Sequence, residues 1–200
     1  MLADLLSKRA SCTDFKHINQ NDCNIITAHL LRGEQGLPDR LLQHFEMLKD
    51  FHGGLPVSRY HHSLQTATRM VRAGMDEESI VCGLFHDLGD VLSPHDHASF
   101  AALVLKPYIS EKNHWVLKHH EIFQGYYYYH LAGFDRNARD AYRDSPYFDA
   151  CAEFCERFDQ NSFDPGFDNM PLEDFEPMVR RVLAVPVQNS MLQAAAANLV

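Results

Sequence analysis

The sequence predicts an all-α protein. Apolar residues recur at helical spacing in successive segments, and glycines and prolines fall between those segments. No two-residue hairpin signal or sustained apolar–polar alternation occurs, so little or no sheet is expected. Residues 22–33 and 38–50 read as helices, the second with Pro38 in its first turn, where a missing N–H costs nothing. The stretch FHGGLP, 51–56, is a loop whose glycines would permit a mobile lid. A helix over 59–73 should stop at Gly74. The next opens at DEES, with Asp76 as N-cap and Glu77 and Glu78 at the positive end of the dipole, and continues through Leu88. Further helices are expected near 96–105, 110–122, 135–142, 147–160 and 171–184, separated by Pro94, Pro146, Pro165 and Pro171. The tail from Pro186 to Val200 carries little signal.

Two hundred residues, 46% hydrophobic and 22% charged, fit one domain with a single sizeable core. A net charge of -9 argues against nucleic acid or an anionic membrane as partner, because both need a basic face. It leaves room for a small anionic substrate held by a local basic pocket. No apolar run approaches the roughly 20 residues of a membrane span. The N-terminal stretch lacks the pattern of a secretion signal. The five cysteines are odd in number and sparsely spread, so a cytoplasmic location is expected and no disulfide framework. Cys151 and Cys155 fall on an apolar face with Phe154 and Phe158 and read as packing residues.

Histidine is the anomaly. Thirteen occur, clustered between His44 and His130. His86 and Asp87 stand side by side in the apolar run LFHDLGD, where each must be paired or bound to a metal to offset desolvation. Other candidate ligands lie on separate helices: His62 in YHHSLQTATRM, His97 in PHDHASFAALVL, His119 and His120 in WVLKHHEIF, and Asp159 in FCERFDQ. Adjacent helix residues point about 100° apart, so His86 and Asp87 can serve two neighbouring metals. Imidazole and carboxylate together suit iron, manganese or zinc, and a carboxylate can bridge two cations. A buried His–Asp hydrogen bond would also explain the pair alone. The ordered set of H, HD, H, H and D shifts the reading to metal.

On those residues the chain resembles the HD-domain superfamily, all-helical metalloproteins with the ligand order H…HD…D. The two further histidines before the last Asp resemble its dinuclear members. Within it, HSLQTA, HDLG, DHASFAALVL, HHEIFQGYYYY and ERFD resemble the mixed-valent diiron oxygenases, namely inositol oxygenase and the enzymes that cleave hydroxylated organophosphonates. The resemblance implies one HD domain over 1–200, with a metal-binding core at about 59–160, N-terminal helices in 1–50 and a C-terminal helix and tail in 171–200. It implies that His62, His86, Asp87 and Asp159 hold one iron, that His97 and His120 hold the other, and that Asp87 bridges and is catalytic. His61 and His119 stand beside ligands as hydrogen-bonding neighbours.

The implied cofactor is an Fe(II)/Fe(III) pair, and the implied partners are a small hydroxylated substrate and dioxygen. Dinuclear HD phosphohydrolases share the ligand order. They would use Mn, Co, Mg or Zn, with Arg59, Lys118 or Arg157 on the phosphate, although each of these also reads as a solvated helix face. A third reading is a catalytically silent ligand-binding module. Asp90 stands where inositol oxygenase has a lysine and the phosphonate enzyme a histidine, and at one turn after Asp87 it would repel a phosphate. The loop before His62 also lacks the Tyr/Glu pair of the phosphonate enzyme. Gln124 or Tyr126, after the fourth histidine, could line the pocket.

Overall fold

The computed structural model describes residues 2–187, 191–197 and 199. Among them there is no strand; the chain is helices joined by turns. They are α1 (Leu2–Leu6), α2 (Gln20–Gln35), α3 (Leu37–Glu46), α4 (Arg59–Arg72) and α5 (Glu77–Phe85), then α6 (His97–Leu105), α7 (Glu111–Tyr128), α8 (Phe148–Phe154), α9 (Leu172–Val182) and α10 (Met191–Ala197). Short 3₁₀ turns follow α3, α6 and α7.

The caps explain several boundaries. The Asn19 side chain accepts from the Asp22 amide at the start of α2, and Asp76 accepts from Ser79 at the start of α5. After α4, Gly74 takes φ 71° and the Met75 amide returns to the Met70 carbonyl, closing the helix as anticipated.

The core joins α3, α4, α5, α7, α8 and α9, with Phe45, Leu48, Leu64, Phe85, Leu117, Phe123, Phe158 and Phe175 all buried. Each such side chain contributes about 1.5–3 kcal/mol by leaving water. α7 packs against α6 and α8, and α5 against α4, α7 and α9. Leu5, Ile25 and Ala28 form a separate small cluster beneath α1 and α2, with α10 also packed on α2.

The differences from expectation have local causes. α5 ends at Phe85, so His86 and Asp87 occupy a turn and not a helix interior. There the Leu88 and Asp90 amides bond back only three residues, to Phe85 and Asp87. The Gly83 carbonyl, which a continuing helix would use, faces His86 Nδ1 at 2.8 Å. α7 runs on to Tyr128, and 135–142 holds only the 3₁₀ turn Ala138–Tyr142. The expected helix over 147–160 changes into a π-turn at Cys155–Asp159, closed by the Gln160 amide on the Cys155 carbonyl at 3.1 Å. The weakly patterned N-terminus and tail carry α1 and α10, which periodicity over so few residues could not signal. Residues 188–190, 198 and 200 of that tail lie outside the described residues.

Candidate metal centre

Five elements converge on one buried point. His62 comes from the first turn of α4, His86 and Asp87 from the turn after α5, His97 from the start of α6, His120 from the middle of α7 and Asp159 from the end of the π-turn. All are buried except His97, which is 13% exposed.

Their donor atoms form two groups that share Asp87. In the first, His62 Nε2 lies 3.1 Å from His86 Nε2, 3.3 Å from Asp87 Oδ2 and 3.2 Å from Asp159 Oδ1. His86 Nε2 lies 3.3 Å from Asp87 Oδ2 and 3.6 Å from Asp159 Oδ1. In the second, His97 Nε2 and His120 Nε2 are 3.2 Å apart, and each is 3.4 Å from Asp87 Oδ1. Ligand atoms held at about 2.0–2.2 Å around one cation stand roughly 3.0–3.5 Å from each other, which is the spacing found here. The two oxygens of Asp87 thus face different donor sets.

The tautomers point the same way. Nδ1 of His62 donates to the Ser162 carbonyl at 3.0 Å, that of His86 to Gly83 at 2.8 Å and that of His120 to Leu117 at 2.7 Å. A carbonyl only accepts, so each ring is fixed with its Nε2 lone pair toward the cluster. Two such lone pairs at 3.1 Å repel unless a proton or cation lies between them. Asp159 Oδ2 is buried without a hydrogen-bond partner. Burial opposes ionisation of Asp87, but His86, Arg59 and the facing histidines outweigh it and hold the carboxyl well below the usual range. Asp159 behaves likewise: burial is outweighed by His86 and His62. Burial also opposes protonation of His86, yet Asp87 and Asp159 raise it well above an ordinary histidine. The cluster is short of positive charge, and the donor set fits metal ions.

Neighbouring parts hold this geometry. The Phe163 ring stacks on His62 at 4.3 Å, on a segment tied to α4 by Gln65 with Asp164 and by Arg69 with the Asn161 carbonyl. His44 from α3 bonds the Leu88 carbonyl at 2.8 Å and steadies the turn that carries Asp87. Gly89 lies so close to α6 that a Cβ there would stand 2.6 Å from the His97 carbonyl oxygen.

A cavity of about 450 Å³ opens onto Asp87, His97, His120 and Asp159. Its other walls are Gly53 and Leu55 of the glycine loop, Arg59, Glu121, Gln124, Tyr127, Tyr128, Gln160 and Phe163. Gln124 donates through Nε2 to Asp159 Oδ1 at 2.8 Å, leaving its Oε1 without a partner.

The remaining sequence-derived candidates fall elsewhere. Asp90 is buried but does not line the cavity; its Oδ2 stands 2.6 Å from Arg59 Nε, off the N–H axis, and its Oδ1 3.5 Å from His97 Nδ1. Burial and the neighbouring Asp87 push its carboxyl up to about 6, against the opposing pull of Arg59 and His97. It contacts Arg59 and His97, and with Asp87 and His97 it forms a further group able to hold a cation. Tyr126 turns away beneath Arg136 and Arg139, at 4.3 and 3.7 Å, and Tyr127 and Tyr128 take its place. His61 is exposed and bonds Ser58 Oγ. His119 stacks on Trp115 at 4.2 Å and bonds its carbonyl, not a ligand. Lys118 is exposed, and Arg157 is exposed and paired with Glu153.

Of the three basic residues that the sequence offered either for a phosphate or for a solvated face, Arg59 alone lines the cavity, brought there by its position one turn before His62. Sequence reasoning missed Glu121, Tyr127, Tyr128 and Phe163. Glu121 directly follows His120, the signal that could have found it; nothing in the sequence marked Phe163.

Fold and cluster together define a class: an all-helical protein with a buried His/Asp centre able to hold metal ions. A family model described as HD domain matches residues 59–159, half of the chain, and the chain belongs to the HD-domain family. No curated protein matches the sequence. No helix among the described residues is long and apolar enough to cross a membrane.

Proposed function

We propose that the chain is a metal-dependent enzyme with a dinuclear site, and within that class a mixed-valent diiron oxygenase cleaving a C–C or C–P bond of a small hydroxylated substrate. The observation that carries the dinuclear reading is the division of Asp87, Oδ2 toward His62, His86 and Asp159 and Oδ1 toward His97 and His120. Asp87, His62, His86 and Asp159 would hold one ion; Asp87, His97 and His120 would hold the other. The first set carries two carboxylates among its donors, and the second the shared one with Asp90 beside His97. A bound iron pair supplies a Lewis acid for a hydroxyl and one-electron chemistry for dioxygen.

The chain's own groups do the rest. The free Gln124 Oε1 accepts a hydrogen bond from a substrate hydroxyl, while its Nε2 keeps Asp159 in place. Arg59, held by Asp87 and Asp90, attracts an anionic end of the substrate. Tyr127, Tyr128, Phe163 and Leu55 wall the cavity and limit water. Its volume suits a small molecule.

The second reading is a phosphohydrolase using Mn, Co, Mg or Zn, and Arg59 favours it, since a guanidinium beside the cluster is placed to bind a phosphate. Metal analysis with Mössbauer and EPR spectroscopy on protein purified without added metal separates the two. Iron, and dioxygen uptake with a hydroxylated substrate, supports the oxygenase. Phosphate release with a divalent, redox-silent metal and indifference to dioxygen overturns it in favour of the hydrolase. Neither activity means a binding module.

A further inference from the structure

A second cavity, of about 80 Å³, lies behind the cluster and shares no lining residue with the first. Met70, Cys82, Val116, Leu117, Phe154 and Phe158 form most of its wall. The same wall backs the cluster. Leu117 accepts the His120 Nδ1 hydrogen bond, Phe158 precedes Asp159, and the Phe154 ring stands 5.6 Å from that of His86 and 6.3 Å from that of His120.

The lining offers little to water. Ser79 is bonded to Asp76, and Asn113 to Glu78. Burial keeps the Cys82 thiol neutral by pushing its pKa well up. Lys112 and Glu153, both exposed, mark the outer mouth. The volume is several times the roughly 10–15 Å³ that one water-sized molecule needs, and its mainly apolar wall favours a small apolar guest such as xenon.

We propose that this cavity is a binding site for a small apolar gas molecule, and that dioxygen reaches the His/Asp cluster through it, apart from the organic substrate. The dioxygen part rests on the oxygenase reading. A polar substrate then fills the large cavity without blocking the gas, which partitions into the apolar wall on the other side of His86 and His120.

The test uses xenon and dioxygen. Xenon-pressurised crystals of the wild type should show xenon between Met70, Cys82 and Phe154. Ala150→Leu, which grows into the cavity from α8, should exclude it, and Cys82→Ala should admit more. After reduction with dithionite, iron-loaded Ala150→Leu should be re-oxidised by dioxygen severalfold more slowly than wild type, with unchanged iron content, and Cys82→Ala at least as fast. An empty wild-type cavity under xenon overturns the gas site. Xenon binding with wild-type re-oxidation rates in Ala150→Leu overturns the route. A wild type that binds xenon but whose reduced form does not react with dioxygen sinks the oxygenase reading, and the dioxygen role with it, while the gas site stands.

Discussion

Asp90→Asn removes a charge that two functional side chains share. Arg59 is 21% exposed and Asp90 7%, so their contact is little screened by solvent. Breaking a buried pair by deleting one charge costs about 3–5 kcal/mol. Asparagine still offers a carbonyl acceptor, and burial and Asp87 already oppose the Asp90 charge, so the expected change in stability is small, within about 1 kcal/mol. The second effect is on metal. His97 loses the anion beside its Nδ1, and such a loss typically costs about 10–100-fold in metal affinity. The His62, His86 and Asp159 set does not touch Asp90 and should keep its ion. Urea unfolding measures the first effect, and metal content after a graded chelator challenge measures the second. The expected outcome is near-wild-type stability and early release of one of two metal equivalents. Both equivalents retained through the same chelator challenge as wild type would refute the assignment of Asp90 as the support of His97. Simultaneous loss of both ions would show that it supports the whole cluster.

Asp87→Ala should lose both metal equivalents and all activity, since both donor sets use its carboxylate; elemental analysis of the purified variant checks this, and full metal content would mean that Asp87 is not the bridge. Gly89→Ala should destabilise by about 1–3 kcal/mol and release metal from the His97 side first, because the new Cβ meets backbone that cannot give way; thermal unfolding and chelator challenge read both. Lys118→Ala and Arg157→Ala should keep full metal content and stay within about 0.5 kcal/mol of wild type by urea unfolding, since both side chains are exposed away from the cavity.

The helical fold was legible because its signals are local. Asp76 and Gly74 bracket the turn between α4 and α5 by capping chemistry that a sequence states directly. The candidate donors were legible as residue types in order, and the structure brings all of them but His119 to one place. Their geometry was not. Which oxygen of Asp87 faces which histidine depends on the turn after α5, and that turn depends on packing of Gly89 against α6 and on His44 from a helix distant in sequence. Asp90 was misplaced for the same reason: counted as one helical turn past Asp87, it in fact follows a non-helical turn that aims it at Arg59. Phe163 could not be found, because its role is set by a segment folding back onto α4 across about a hundred residues of chain.

The π-turn at Cys155–Asp159 makes the centre sensitive to how the backbone winds there. It holds one residue more than a regular turn, and Asp159 is its last. Were these same residues wound as ordinary helix, with none deleted, the aspartate would be carried roughly 100° about the axis of α8, out of the cluster. The chain would keep every donor type, in the same order, and still lose a donor. Between two related chains, then, a single-residue gap just before this aspartate would change the type of turn and leave its facing much as it is, whereas a change that unwinds the bulge at constant length would cost the donor.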